Sequence, residues 1–444
     1  MIGYKEFFKG KKITVMGLGL LGRGVGDIAF LAQHGAYLTV TDLKTERELA
    51  PSIRKLSRLK NITYHLGEHR LEDFRNADLV IKVAGVPLDS LYITEARKHG
   101  IPIEMSTSLF ARFSPATIIG ITGTRGKSTV THLIYEILKK VGKKVYLGGN
   151  VKGIATLPLL RKIKNGDYIV LELDSWQLQG FGESKISPHI AVFTTFMEDH
   201  LNYYKGNMKT YLADKANIFL YQKREDFLVL GKSVSSFIRK KYGKKIKAHI
   251  ISPAQISSKW KIPLLGKHNE DNISLAVAVA DVLKIPKTIT KKAVENFKGV
   301  SGRMELVRTY KGVHIYNDTT ATTPHATLAA LRALSRKKNI ILIFGGADKN
   351  IDMKELLKDI PKYCKGLVLL PGTGTDRILP QLQVTGDKLQ INQPARSLGQ
   401  AVHKALNIAQ NGDVVLFSPA FASFGMFQNE FHRGDEFVKI IKKL

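Results

Sequence analysis

Two glycines, a lysine and a run of hydroxyls fall within Thr122-Gly123-Thr124-Arg125-Gly126-Lys127-Ser128-Thr129. An apolar, β-branched stretch from Ala116 to Ile121 precedes them. After them Val130, Leu133, Ile134, Ile137 and Leu138 recur at helical spacing. The glycines therefore turn a buried strand into a helix start. Backbone N–H groups and the positive end of a helix there face one spot, which suits an anion. Lys127 supplies a mobile cation for a β- or γ-phosphate, and Ser128 a hydroxyl where Mg²⁺ would sit. The first glycine of the full phosphate-loop pattern is absent, because Ile121 stands there. Nucleotide phosphate binding is the expectation, set against a plain strand–helix turn that carries a lysine.

Other groups should converge on that loop. Tyr168 to Leu173 reads as a strand carrying Glu172, and a carboxylate in an apolar strand is costly unless paired or metal-bound. His189 to Phe196 reads as another, ending in Met197-Glu198-Asp199-His200. Strand ends of a doubly wound sheet face one crevice. Mg²⁺ on ATP phosphates needs few protein ligands, and Ser128, Glu172 and His200 would suffice. The alternatives are a salt bridge for Glu172 and a helix cap for His200. Lys215, on the helical stretch Tyr211 to Phe219, is unremarkable by spacing alone. Asn269 and Asn272 open an alanine-rich helix (Leu275 to Leu283) and share one face, suited to a flat base or to capping.

A second glycine-rich turn lies near the N-terminus. Ile13 to Met16 reads as a strand, Gly17-Leu18-Gly19-Leu20-Leu21-Gly22 as the turn, and Tyr37 to Thr41 as a strand ending at Asp42. This order matches a dinucleotide-binding fingerprint, with Asp42 placed for a ribose hydroxyl. The same turn serves any diphosphate ligand, or none. Leu79 to Val83 closes at Ala84-Gly85-Val86-Pro87, where Gly85 lets a ligand approach the backbone. Further on, strands at His314–Tyr316, Ile340–Phe344, Leu367–Leu370 and Val414–Phe417 alternate with helices and end in small polar residues. They predict a third α/β layer. Phe427 to Phe437 is too polar for pure core and reads as a lid or rim.

The elements carrying these groups must fit 444 residues, which suits two to four domains. Hydrophobic residues make up 44% and charged residues 24%, as in ordinary globular chains. No run of about 18 apolar residues predicts a membrane span, and Met1 to Lys12 lacks a signal-peptide core. One cysteine, Cys364, excludes an internal disulfide framework and fits the cytoplasm. The net charge of +30 raises the prospect of nucleic acid. The lysines are dispersed, however, with no basic stripe interleaved with aromatics, so no nucleic-acid partner is expected.

Taken together, TGTRGKST, LELDSWQL, MEDHLNYY, YLADKANIF, GKHNEDN, GRMELV, NDTTATTP, GGADKN and SPAFASFGMFQNEFHRGDEF resemble the Mur ligases across essentially the whole chain. Within that family they are most similar to the glutamate-adding branch. The resemblance implies an α/β chain of three domains: a Rossmann-like UDP-sugar domain (1–111), a P-loop ATP domain (112–301) and a Rossmann-like amino-acid domain (302–444). It implies phosphorylation of the alanyl carboxylate of UDP-N-acetylmuramoyl-L-alanine by ATP, attack by glutamate, and a monomeric enzyme of cell-wall synthesis using two Mg²⁺ ions.

The resemblance also implies roles by position. Lys127, Glu172, His200 and Lys215 match catalytic residues; Ser128, Glu172, His200 and Lys215 match metal ligands, with Lys215 carried as a carbamate. ATP contacts fall on Gly123, Thr124, Arg125, Gly126, Lys127, Ser128, Thr129, Asn269, Arg303 and Asp318. Substrate contacts fall on Gly17, Leu20, Asp42, Gly85, Asn150, Ser175, Thr322, Lys349, Ser423 and Phe424. Of these, Asp42, Gly85 and Asn150 match the UDP-sugar side, and Lys349, Ser423 and Phe424 the glutamate side, with Thr322 close by. Departures include Arg125 for Asn, Gly302 for His, Thr320 for Lys, Phe421 for Cys, Leu21 for Thr, Val83-Ala84-Gly85 for Ser-Pro-Gly, and an inverted Glu430-Phe431 pair. Rival readings are a related Mur-type ligase with L-glutamate or another amino acid, a folate-type polyglutamate ligase, a dehydrogenase, and a nucleic-acid-stimulated ATPase.

Overall fold

A computed structural model describes residues 3–19, 22–201, 203–383, 390–392 and 394–444. Leu20 and Leu21 lie outside the described residues. Three sheets organise the chain. The first holds β1 (Lys12–Met16), β2 (Tyr37–Asp42), β3 (Ile62–Leu66), β4 (Leu79–Lys82) and β5 (Ile103–Glu104), in the order β3-β2-β1-β4-β5, all parallel. The chain reverses direction across the sheet between β1 and β4, and the loops after these two strands border that switch point.

The second sheet holds β6 (Thr117–Thr122), β7 (Val145–Gly149), β8 (Tyr168–Glu172), β9 (Ile190–Phe193), β10 (Phe227–Leu230) and β11 (His249–Ile251). Its order is β11-β10-β9-β6-β8-β7, again all parallel. β6 sits between β8 and β9, so the ends carrying the glycine-rich turn, Glu172 and the path to His200 are neighbours. Its side chains from Ile118 to Thr122 are all buried, as expected of a strand covered on both faces. The third sheet, β12 (Glu305–Tyr310), β13 (Val313–Asn317), β14 (Ile340–Gly345), β15 (Cys364–Leu370), β16 (Gln390–Asn392) and β17 (Val414–Phe417), has the order β12-β13-β17-β14-β15-β16. Only β12 runs antiparallel.

These sheets fall into two compact units. Residues 1–260 and 271–294 form one, with the first two sheets; residues 261–270 and 295–444 form the other, with the third. Within the first unit the two sheets share a hydrophobic core that joins Phe8, Ile28, Leu31 and Leu109 to Leu157, Leu171 and Leu178. Specific bonds reinforce it: Leu157 N–H donates to Asp27 Oδ1 (3.0 Å) and Arg161 to Gln33 Oε1 (2.5 Å). In the second unit β14 is buried along its whole length, and Cys364 lies fully inside the core.

Three expectations shift. The strand expected over His189–Phe196 ends at Phe193, because Thr194 and Thr195 turn out of the sheet to bind the glycine-rich loop. The alanine-rich helix runs Lys267–Val282 and so includes both asparagines. The segment read as a lid becomes the helix Glu430–Lys442 from its fourth residue on, capped by Asn429, whose Oδ1 accepts from Phe431 and His432 N–H. Within it Arg433 is 1% exposed and donates to the Thr319 hydroxyl and to the carbonyls of Thr319 and Phe421. That arginine is a structural staple, while Phe424 just before the helix is 68% exposed.

Candidate active site

Gly126 enters the helix Lys127–Lys140 in the left-handed conformation (φ 88°), which is why a glycine is needed. At Gly123 a Cβ would lie 2.0 Å from Thr194 Oγ1, so only glycine fits against the exit of β9. That exit stitches the loop down. Thr124 N–H donates to Thr195 O (2.8 Å), Arg125 N–H to Thr195 Oγ1 (2.9 Å), and Met197 N–H to Thr124 Oγ1 (3.1 Å). With those two loop N–H groups engaged, an anion at this turn meets the helix start at residues 126–128.

Two ammonium groups reach the same loop. Lys127 Nζ donates to the carbonyls of Gly123 (3.1 Å) and Thr124 (3.2 Å). Lys215, only 1% exposed, donates to Gly123 O at 3.0 Å and lies 4.8 Å from the centre of the Tyr211 ring. Burial, then the charge of Lys127, pushes the Lys215 ammonium well below the usual lysine range. Asp174 and Asp199 oppose that shift. The neutral amine, which this shift favours, is the nucleophilic form.

Glu172 ends β8 with 4% exposure, and its carboxylate takes no hydrogen bond or ion pair from any described residue. Its backbone is used: its carbonyl accepts from Asn150 N–H at 2.7 Å. A carboxylate left without a partner at the end of an apolar strand suits a cation. His200 lies in the left-handed region (φ 54°), packed against Trp176 with ring centres 4.5 Å apart. Desolvation lowers its pKa, helped by Lys215 and Lys127 and opposed by Asp199, so the ring stays neutral and able to ligate. Arg125 Nη1 pairs with Asp199 Oδ2 at 3.1 Å. Among the described residues no three His, Cys, Asp or Glu side chains form a metal cluster. Ser128, Glu172 and a neutral His200, completed by water and phosphate oxygens, fit a loosely held Mg²⁺ better than a closed metal centre.

On the side of the first sheet, Gly17 (φ 106°) has Val83 Cγ2 2.6 Å from where a Cβ would be, so the two loops pack face to face. Asp42 Oδ2 accepts from Leu18 N–H (2.9 Å) and Gly19 N–H (3.3 Å), and Oδ1 from Lys44 N–H (3.0 Å). Asn150 joins this side through Arg23, which donates to its Oδ1 at 2.8 Å. Gly85 lies in the turn after β4, and Ser175 is buried in the first turn of the helix Ser175–Glu183. Asn272 Oδ1 sits 2.2 Å from the Cβ that Gly126 lacks.

The second unit gathers its own group. Lys349 Nζ donates to Thr322 Oγ1 at 3.1 Å. Asp318 accepts from Met304 N–H (3.1 Å) and Ser418 Oγ (2.8 Å), and burial pushes its carboxyl up to about 7. Arg303 contributes opposing charge there and lies in the turn closed by its N–H to Val300 O (3.0 Å). Ser423 is buried beside exposed Phe424. Asn269 Nδ2 donates to Leu265 O at 2.8 Å. Sequence reasoning missed Lys82, Thr195 and Arg433: a buried lysine, a threonine and a buried arginine have no distinctive spacing.

Family models cover each sheet in turn. Residues 11–104 match the Mur ligase MurD-like N-terminal domain, 121–255 the Mur ligase middle domain, and 302–421 the Mur ligase glutamate ligase domain. The chain belongs to the Mur ligase family, whose members form an amide bond with conversion of ATP to ADP. It is 37% identical to the UDP-N-acetylmuramoylalanine–D-glutamate ligase of Roseiflexus sp., over 98% of both chains. The enzyme of that name from Borreliella afzelii is 36% identical over the same shares. In fold the chain is similar to the UDP-N-acetylmuramate–alanine ligase of Thermotoga maritima, with a TM-score of 0.63 and 20% identity over 98% of this chain and 99% of that one. No described helix is long and apolar enough to cross a membrane.

Proposed function

We propose that this chain joins D-glutamate to the alanyl carboxylate of UDP-N-acetylmuramoyl-L-alanine, forming ADP and phosphate in peptidoglycan precursor synthesis. The observation that carries the reading is its alignment, over 98% of both chains, with D-glutamate ligases at 36–37% identity. In this reading residues 1–111 hold the UDP-sugar, 112–301 ATP and 302–444 the amino acid. The enzyme works as a monomer in the cytoplasm.

The chemistry follows from the side chains. A carboxylate is a poor electrophile, and transfer of the γ-phosphoryl group to it creates an acyl phosphate with a good leaving group. Phosphoryl transfer is catalysed mainly by positioning and by cations at the developing charge. Lys127, released from the loop carbonyls, turns to the phosphates. The helix start at 126–128 meets the same oxygens. Ser128, Glu172 and His200 would hold Mg²⁺, which when bound neutralises phosphate charge. Lys215, whose burial favours the neutral amine, would add CO₂ through its lone pair and lose a proton to solvent, giving a carbamate anion that would serve as a further ligand for a second Mg²⁺. Asn269, Arg303 and Asp318 hold the nucleotide; Asp42, Gly85, Asn150 and Ser175 hold the UDP-sugar. In the second unit the Lys349–Thr322 pair, with Ser423 and Phe424, holds the carboxylates of glutamate. Its amine then attacks the acyl phosphate through a tetrahedral intermediate.

Phosphate release tests the reading, measured with MgATP, UDP-N-acetylmuramoyl-L-alanine and each of a panel of D- and L-amino acids. Release confined to D-glutamate is expected. Release with L-glutamate instead, or equal rates with every amino acid, would overturn the specificity.

A further inference from the structure

Lys82 ends β4 in the interior of the first unit, 2% exposed, at a position the reaction above does not use. Its Nζ makes two bonds. One closes the turn after β4, to Val86 O at 2.9 Å. The other crosses to the helix Ser175–Glu183, to Gln179 Oε1 at 3.1 Å. Gln179 passes the contact on: its Nε2 donates to Asp214 Oδ2 at 2.8 Å. Tyr204 OH donates to the same oxygen at 2.9 Å. Asp214 lies beside Lys215 on the helix Met208–Ala216, and Lys215 Nζ ends the chain of contacts on Gly123 O of the phosphate loop. A glutamine suits the middle place, since its carbonyl faces an ammonium and its amide a carboxylate.

Holding a charge here opposes folding. Burial lowers the Lys82 ammonium to about 8; Asp174, Asp214 and Glu183 raise it and Arg97 lowers it further. An apolar side chain of similar length would fill the space without that penalty. The turn it closes is the one whose Val83 packs on Gly17.

We propose that Lys82 is a positioning residue that couples the two substrate sides of this unit. It ties the turn 83–87, against the first glycine-rich loop, to the helix whose Lys215 braces the phosphate loop. The proposal rests on the reading that the first sheet holds the UDP-sugar and the second ATP. In the full chain, Lys82→Met, Lys82→Arg and Gln179→Leu are compared with the parent. The measurements are melting temperature, affinity for a non-hydrolysable ATP analogue with Mg²⁺, and KM and kcat for UDP-N-acetylmuramoyl-L-alanine. Lys82→Met should melt within a few degrees of the parent. It should weaken the analogue about threefold or more without acceptor, and raise the acceptor KM about tenfold with a smaller change in kcat. Lys82→Arg should recover part of both. Gln179→Leu should reproduce both losses with the lysine intact, and its combination with Lys82→Met should add little. Analogue affinity and acceptor KM within about twofold of the parent in Lys82→Met and Gln179→Leu would overturn the coupling. A parent inactive on this acceptor would instead overturn the substrate reading, and analogue affinity would still decide the tie.

Discussion

The two glycine-rich loops of the first unit look alike in sequence and differ in charge. Each follows the first strand of a parallel sheet and enters its helix through a left-handed glycine, Gly22 at φ 80° and Gly126 at φ 88°. In the first loop the chain supplies its own anion. Asp42 sits on the N–H groups of Leu18 and Gly19, so part of the loop's donor capacity is satisfied before any ligand arrives. In the second loop the chain supplies cations. Lys127 and Lys215 both donate to Gly123 O, and burial with mutual repulsion drives Lys215 toward its neutral form. The backbone turn is common to both, and the side chains around it decide what it does. The first loop has its N–H groups partly held by its own carboxylate; the second carries Lys127 beside a lysine that burial drives toward its neutral form.

The sharpest break in that contrast is Lys127→Ala. Removing the mobile cation should lower kcat at least about 10³-fold, as loss of charge stabilisation in phosphoryl transfer does. Melting temperature should hold, because the loop stays stitched to Thr195. Stopped phosphate assays on purified variant and parent, matched for thermal stability, check it. Turnover within tenfold of the parent (about 1.4 kcal/mol) would mean the second loop is no more cationic in function than the first.

Lys215→Ala asks a finer question of the same loop. If the buried amine works as a carbamate, the alanine variant should lose about 10²-fold or more in kcat. Added formate or acetate should restore part of that activity by occupying the cavity as a replacement carboxylate. Restoration that rises and saturates with carboxylate concentration is the expected result. Activity lost and not restored would leave Lys215 as a brace for Gly123 O alone.

Much of this was legible before the structure. Helical spacing after Gly126 and apolar runs ending in Glu172 and toward His200 placed the neighbouring ends of β6, β8 and β9, because strand period and burial are written into residue type. The three α/β layers were legible for the same reason. The tie between the first two sheets was not. It runs through pairs such as Arg23–Asn150 and Asp27–Leu157, which are 127 and 130 residues apart and leave no periodic trace. Lys82 and Arg433 were hidden differently. In a chain with 68 lysines and arginines, a buried cation reads like any solvated one until its neighbours are known. Asp42 was legible as a loop carboxylate, but its bonds to Leu18 and Gly19 N–H, which order the loop, were not.

That last point yields the mildest test, Asp42→Asn. The amide keeps one oxygen for Leu18 N–H but loses the charge that strengthens three N–H contacts, and it turns an NH₂ toward donors. Hydrogen bonds to charged groups contribute about 1.5–3 kcal/mol against about 0.5–1.5 for neutral ones. A loss of about 1–2 kcal/mol in stability is therefore expected, read by denaturant unfolding. The UDP-sugar KM should rise a few-fold, about 3–10, because the loop it packs on is less ordered. The ATP KM should not move, since among the described residues no contact of Asp42 reaches the phosphate loop. An equal shift in both KM values would show that the two loops answer to one another directly. A variant unchanged in stability and in both KM values would show that the first loop is ordered by its glycines alone.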